Sequence, residues 1–134
     1  WTISEKKICI LGFAFKANTN DTRESPAIEV CNDLLEEGAI LNIYDPKVTN
    51  NQIKNKLNKD DLENESINCF ASIKEAVKDS DAIVIMTEWE EFKKINWEEI
   101  YPLMRKPSWV FDTRRIIEIN NFDLKKFHYW AIGK

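Results

Sequence analysis

Two stretches of the chain, Ile8 to Phe13 and Ala82 to Met86, are apolar almost without a break. A strand with one wet face alternates apolar and polar side chains, so a continuous run of this length requires cover on both faces. Both runs therefore read as central strands of a parallel sheet. Between Ser25 and Gly38 the pattern changes. Ser25 and Pro26 form a cap and first-turn pair, Ala27, Ile28, Cys31, Leu34 and Leu35 recur at helical spacing, and Gly38 supplies the stop. Ile40 to Tyr44 follows as the next strand, which completes a βαβ unit with a right-handed crossover.

The polar stretch from Asp45 to Glu65 reads as a loop with one or two weak surface helices. Ile67 to Phe70 is a short edge strand. Ser72 and Glu75 have capping-box spacing and open a helix to about Lys78, and Asn96-Trp97-Glu98-Glu99 starts another that Pro102 shortens. Trp109-Val110-Phe111 and Tyr129 to Ile132 close the series as strands. The alternation predicts an α/β fold: an open, mostly parallel, Rossmann-like sheet with helices on both faces, in three layers.

At 134 residues the chain makes one domain, 1–134, with one core. An enzyme with two substrates normally adds a second domain to build its cleft, and Trp1-Thr2-Ile3-Ser4 has no initiator Met, so the expectation is a piece of a longer protein. No apolar run approaches the 18 or so residues of a membrane span. The net charge is -4 and no Lys/Arg block occurs, which argues against nucleic-acid binding. Cys9, Cys31 and Cys69 lie far apart, suggesting neither disulfides nor a metal site and fitting a reducing, cytoplasmic setting.

Parallel sheets bind ligands beyond the carboxyl ends of their strands, at the point where the strand order reverses. Four loops meet that condition: 13 to 25, 45 to 48, 87 to 91 and 112 to 115. They bring Lys16, Arg23, Arg114 and Arg115 to one end of an acidic chain, a pattern suited to a small phosphorylated anion. The alternative is that Asp21, Glu24 and Asp112 neutralise these cations. Gly12 stands alone where a dinucleotide site needs G-x-G-x-x-G, so the domain is not expected to hold NAD by itself. Asp45 stands where a Rossmann domain places its ribose acid, but without the glycines a turn or cap at Asp45-Pro46 is the favoured role. His128 reads as a structural residue at a strand edge, Cys9 and Cys31 as core, and Trp89 as either core or crevice wall.

Lys7-Ile8 through Leu11-Gly12-Phe13-Ala14-Phe15-Lys16, Asp21-Thr22-Arg23-Glu24-Ser25, Tyr44-Asp45-Pro46, Thr87-Glu88-Trp89 and Phe111-Asp112-Thr113-Arg114, in this order, resemble the C-terminal domain of the UDP-glucose 6-dehydrogenase family. The resemblance implies a whole protein that oxidises UDP-glucose to UDP-glucuronate with two NAD, through a cysteine thioester. It implies that the cysteine, the acid/base groups, the N-terminal NAD domain and a central helix all lie outside these residues. No catalytic or metal-binding residue is then expected here, and this chain alone should be inactive. By the same resemblance Phe15, Lys16 and Arg114 contact the nucleotide sugar, and Arg23 reaches the NAD side across the domain interface. Arg115 stands where many relatives carry Asn and receives no ligand role. A homo-oligomer is also implied. Relatives acting on UDP-N-acetyl-mannosamine or GDP-mannose share the architecture, and a flavodoxin- or receiver-type regulatory module is the reading from another class.

Overall fold

The computed structural model describes residues 2–57, 66–118 and 122–132. Its strands are β1 (Lys7–Leu11), β2 (Ile40–Tyr44), β3 (Ile67–Cys69), β4 (Ala82–Ile85), β5 (Ser108–Asp112) and β6 (Phe127–Ala131). Its helices are α1 (Pro26–Glu36), α2 (Asn50–Lys56), α3 (Ile73–Val77), α4 (Glu90–Lys93) and α5 (Trp97–Ile100), the last running into a 3₁₀ turn over Tyr101–Leu103. The strands form one sheet in the order β3-β2-β1-β4-β5-β6, and every pairing is parallel. The sheet is thus wholly parallel among the described residues, where the sequence predicts only a mostly parallel one.

The unbroken apolar runs become β1 and β4, the two central neighbours. Cys9, Ile10, Leu11, Ile83 and Ile85 have no exposed surface. Helices lie on both faces. Asn42 turns its amide to the Ala76 carbonyl of α3, whereas the adjacent Ile43 pairs with Cys69, which lies near Cys31 of α1. Successive strand residues point to opposite faces, so α1 and α3 cover opposite sides. From β1 the chain winds outward through α1 to β2; after β3 it crosses back through α3 to β4. The strand order therefore reverses between β1 and β4, and the crevice opens beyond Leu11 and Ile85.

Local chemistry sets the helix ends. Ser25 accepts a hydrogen bond from the Ala27 N–H, Pro26 fills the first position, and Gly38 at φ +89° closes α1. Thr49 and Gln52 form a reciprocal capping box on α2, inside the stretch expected to carry a weak surface helix. The remainder of that stretch, from residue 58 to 65, lies outside the described residues. At α3 the Ser72 hydroxyl accepts from the Glu75 N–H and donates to the Glu75 carboxylate, so the carboxylate does not reach back to the Ser72 N–H.

Several strand boundaries differ by a residue or two from the sequence reading, and one helical turn is added. β1 stops at Leu11 because Gly12 turns the chain at φ +97°. β6 runs from Phe127 to Ala131, its start buried by an edge contact with Trp97 and stacking on Phe122 rather than marked by an apolar run. The single turn α4 has no side-chain cap at Trp89 and shows no signal in the sequence. His128 stacks on Trp109 at 4.6 Å between ring centroids, in line with its expected structural place at a strand edge.

Gly12 has no room for a side chain. A Cβ there would lie 2.5 Å from both Cβ and Oγ1 of Thr87 and 2.8 Å from its backbone nitrogen. Adding left-handed strain to that clash, Gly12→Ala is expected to lower stability by about 2 to 4 kcal/mol. Urea unfolding checks this, an unchanged midpoint being the contrary result.

Candidate functional site

The crevice is organised around the carboxylate of Asp45, 8% exposed at the end of β2. One oxygen accepts from the N–H groups of Phe13 (2.7 Å) and Ala14 (3.0 Å) and from the Trp89 indole (3.1 Å). The other accepts from the N–H groups of Lys47 (2.8 Å) and Val48 (2.9 Å). Five donors leave no lone pair facing a ligand, and they tie together the segments that follow β1, β2 and β4. Asp45 is a loop anchor, the turn-and-cap role preferred for it in the sequence. Trp89 is 6% exposed and serves the same anchor, so of its two expected places it takes the core.

The first loop is fastened at further points. The Ser25 hydroxyl donates to the Phe13 carbonyl (2.9 Å), Thr87 donates to the Ala14 carbonyl (2.9 Å), and the Phe15 N–H donates to the Asp21 carbonyl (2.7 Å). Phe13 and Ala14 are buried by these contacts, and the chain then turns outward. Phe15 is 43% exposed and Lys16 is exposed, its ammonium in no ion pair among the described residues.

Asp112, at the end of β5, is fully buried. It accepts from the N–H groups of Arg114 (3.2 Å) and Ile117 (2.8 Å). It therefore shapes the fourth loop and does not neutralise the Arg114 side chain. That guanidinium pairs instead with Glu88, the residue between Thr87 and Trp89. The second oxygen of the same carboxylate accepts from the Ala17 N–H at 3.3 Å. Burial pushes the Glu88 carboxyl up, but the N–H groups of Ala17 and Glu88 itself and the Arg114 guanidinium outweigh this and hold it below the usual range. One carboxylate thus joins the loop carrying Phe15 and Lys16 to the loop carrying Arg114, across β4.

Arg23 is elsewhere. Its guanidinium forks onto Asp21 (Nε to Oδ1 3.0 Å, Nη2 to Oδ2 2.8 Å), with 83% of the side chain exposed. Of the residues with expected roles, Glu88 joins the loop carrying Phe15 and Lys16 to Arg114, while Arg23 is exposed in the pair anticipated with Asp21. Beside the first loop, Asn18, Thr19, Asn20, Pro46 and Lys47 line an open polar groove of about 590 Å³. A recess of about 510 Å³ around Trp97 and Phe127 shares no residue with the crevice loops.

Chemistry at sulfur is not prepared here. Cys9 and Cys31 are fully buried, and burial pushes both thiols up, away from the reactive thiolate; Cys69 is shifted the same way for the same reason. Among the described residues no group of three or more His, Cys, Asp or Glu side chains could hold a metal ion. The crevice does not fit NAD either: Thr87 fills the space above Gly12 that a pyrophosphate would approach, and Asp45 has no acceptor left for a ribose.

Residues 9–119 match the family model described as "UDP-glucose/GDP-mannose dehydrogenase family, UDP binding domain". The chain belongs to this family. Within it, UDP-glucose 6-dehydrogenase of Drosophila melanogaster is 44% identical over 99% of the chain, and UDP-glucose 6-dehydrogenase 2 of Arabidopsis thaliana is 43% identical over the same share. The chain spans 29% and 31% of those relatives' lengths. Among solved structures, the UDP-D-ManNAc dehydrogenase of Pyrococcus horikoshii matches 98% of the chain with a TM-score of 0.77 at 32% identity, the chain covering 26% of it. The UDP-binding domain assignment and the Rossmann-like sheet agree with the resemblance read from the motifs. It also displaces the receiver-type alternative, whose strand-end acids would have to face a metal; here Asp45 and Asp112 are taken up by backbone N–H groups.

Glu88 escaped the sequence reading because an acid at a strand end counts against an anion site. Its signal was position: it follows β4, the strand lying between those that present Lys16 and Arg114.

Two outcomes follow. Asp45→Asn turns an amide N–H₂ toward backbone donors and is expected to cost about 2 to 4 kcal/mol, read as a lower thermal midpoint. The Asp21 carboxyl, lowered to about 2 by hydrogen bonds from the Arg23 side chain and backbone, should titrate by NMR near that value and move toward its ordinary 3.8 in Arg23→Ala. Because its folded value is depressed, the pair's contribution is complete above the ordinary value and fades as pH falls through about 2.

Proposed function

We propose that this chain is the UDP-sugar-binding domain of a UDP-glucose 6-dehydrogenase, with the boundaries 1–134, and that the whole protein oxidises UDP-glucose to UDP-glucuronate using two NAD. The observation that carries this reading is the meeting of the Phe15–Lys16 loop and Arg114 at the reversal between β1 and β4, in a chain whose family model is a UDP-binding domain. UDP-glucose is preferred to UDP-N-acetyl-mannosamine or GDP-mannose because UDP-glucose 6-dehydrogenases are 44% and 43% identical over nearly the whole chain.

The residues divide the work by chemistry. Lys16 supplies a mobile point charge to the diphosphate, Arg114 a planar fork able to hold two oxygens, and Phe15 an exposed apolar ring against the sugar or base. Backbone hydrogen bonds hold Phe15, Arg114 and Ala17, the neighbour of Lys16, and Glu88 holds the Arg114 side chain, so the ligand meets an arranged surface. The domain binds and orients; the nucleophile, acid/base groups and NAD belong to the N-terminal part of the whole protein, toward which exposed Arg23 reaches. Assembly into a homo-oligomer in the cytoplasm belongs to the same reading.

In the whole protein, Lys16→Ala and Arg114→Ala are each expected to raise KM for UDP-glucose 10- to 100-fold, the equivalent of about 1.5 to 3 kcal/mol for a hydrogen bond to a charged group. Arg23→Ala should act mainly on the NAD dependence. Steady-state kinetics test this: KM values unchanged in both of the first two variants would refute the assignment, as would reduction of NAD by this chain alone.

A further inference from the structure

The Glu88 side chain combines three properties whose joint effect the proposed binding roles leave unexplained. It is the only described carboxylate paired with Arg114, it accepts the N–H of the residue after Lys16, and it sits on β4's loop, between the loops it joins. A negative charge inside a site for a diphosphate repels the ligand. Its retention in a partly buried position, at 31% exposure, needs a compensating use.

From this arrangement we infer that Glu88 is the positioning residue of the UDP-sugar site: it holds the Arg114 guanidinium and the Lys16 loop in one geometry before the ligand arrives. The inference rests on the function proposed above and deepens it. Arg114 follows a turn made by Asp112, which fixes its backbone but not its long side chain. Left alone, that side chain would lose rotamer freedom on meeting the diphosphate; docked on Glu88 it has largely lost it already. The pair engages Nη2 of the guanidinium, and among the described residues no other carboxylate engages Arg114, so the remaining donors stay available to phosphate oxygens. On the other side, the Ala17 bond sets the direction in which the neighbouring Lys16 leaves the loop. Lys16 itself has no partner among the described residues to hold it, so this backbone bond is its nearest tether.

Charge and shape predict different behaviour from the two conservative replacements. Glu88→Gln keeps an oxygen for the Ala17 N–H but loses the ionic hold on Arg114. Glu88→Asp keeps the charge but is one methylene too short to serve both partners.

The test is a double-mutant cycle in the whole protein, with steady-state kinetics in UDP-glucose. Glu88→Gln is expected to raise KM for UDP-glucose about tenfold while kcat changes less than about threefold. In an Arg114→Ala background the same replacement should change KM by less than about twofold, because the group through which it acts is gone. Glu88→Asp should recover part of the loss. Equal effects of Glu88→Gln in both backgrounds would make Glu88 merely structural and overturn the inference. A lower KM in Glu88→Gln would also overturn it, showing that the carboxylate competes with the ligand. If Arg114→Ala and Lys16→Ala themselves leave KM unchanged, the site assignment fails; if they raise it and Glu88→Gln does not, only the positioning role fails.

Discussion

The structure at the binding end of this domain depends on one buried carboxylate. Among the described residues Asp45 is in no ion pair; its charge is met by four backbone N–H groups and an indole N–H. A buried carboxylate without such donors would be costly, and backbone donors in a turn without an acceptor would be costly too, so each makes the other tolerable. The consequence is that the segments after β1, β2 and β4 cannot relax independently. Thr87 and Ser25 add bonds to the carbonyls of Ala14 and Phe13, and the missing Cβ of Gly12 lets β1 and the β4 loop approach closely enough for this to happen.

Two strand-end acids, Asp45 and Asp112, are spent on backbone N–H groups, and a third, Glu88, meets the Arg114 guanidinium. Asp45 and Asp112 are both turned inward and buried, whereas Lys16 and Arg114 follow immediately outside the tied segments. Of these cations, Lys16 stands exposed in no ion pair among the described residues, and Arg114 is held by one carboxylate through Nη2. On the proposed function this arrangement serves recognition of a diphosphate, while burial holds Cys9 and Cys31 in the thiol form. In the function proposed above, the domain supplies orientation to chemistry whose reacting groups come from elsewhere in the protein.

The strands and the βαβ unit were legible because their signals are local: unbroken apolar runs at β1 and β4, helical spacing with Ser25-Pro26 at one end of α1 and Gly38 at the other. The four crevice loops followed from topology, and with them the cations. What the sequence could not show is who pairs with whom. Asp112 is near Arg114 in sequence yet bonds its backbone, while Glu88, far from it in sequence, takes the guanidinium. Asp45 looked like a ribose acid weakened by missing glycines, and its five donors come from three separate segments that only the fold brings together. α4 escaped because a single turn without a side-chain cap leaves no periodicity to read.

On the proposed function, the tied loops beyond β1, β4 and β5 present Lys16 and Arg114 to the diphosphate of a nucleotide sugar. A crystal structure of the whole protein with UDP-glucose tests it most directly. Phosphate oxygens are expected within hydrogen-bond distance, about 3 Å, of the Arg114 guanidinium or the Lys16 ammonium, with Asp45 still bound to its own loops. A diphosphate that touches neither cation, or lies at the opposite end of the strands, would contradict it.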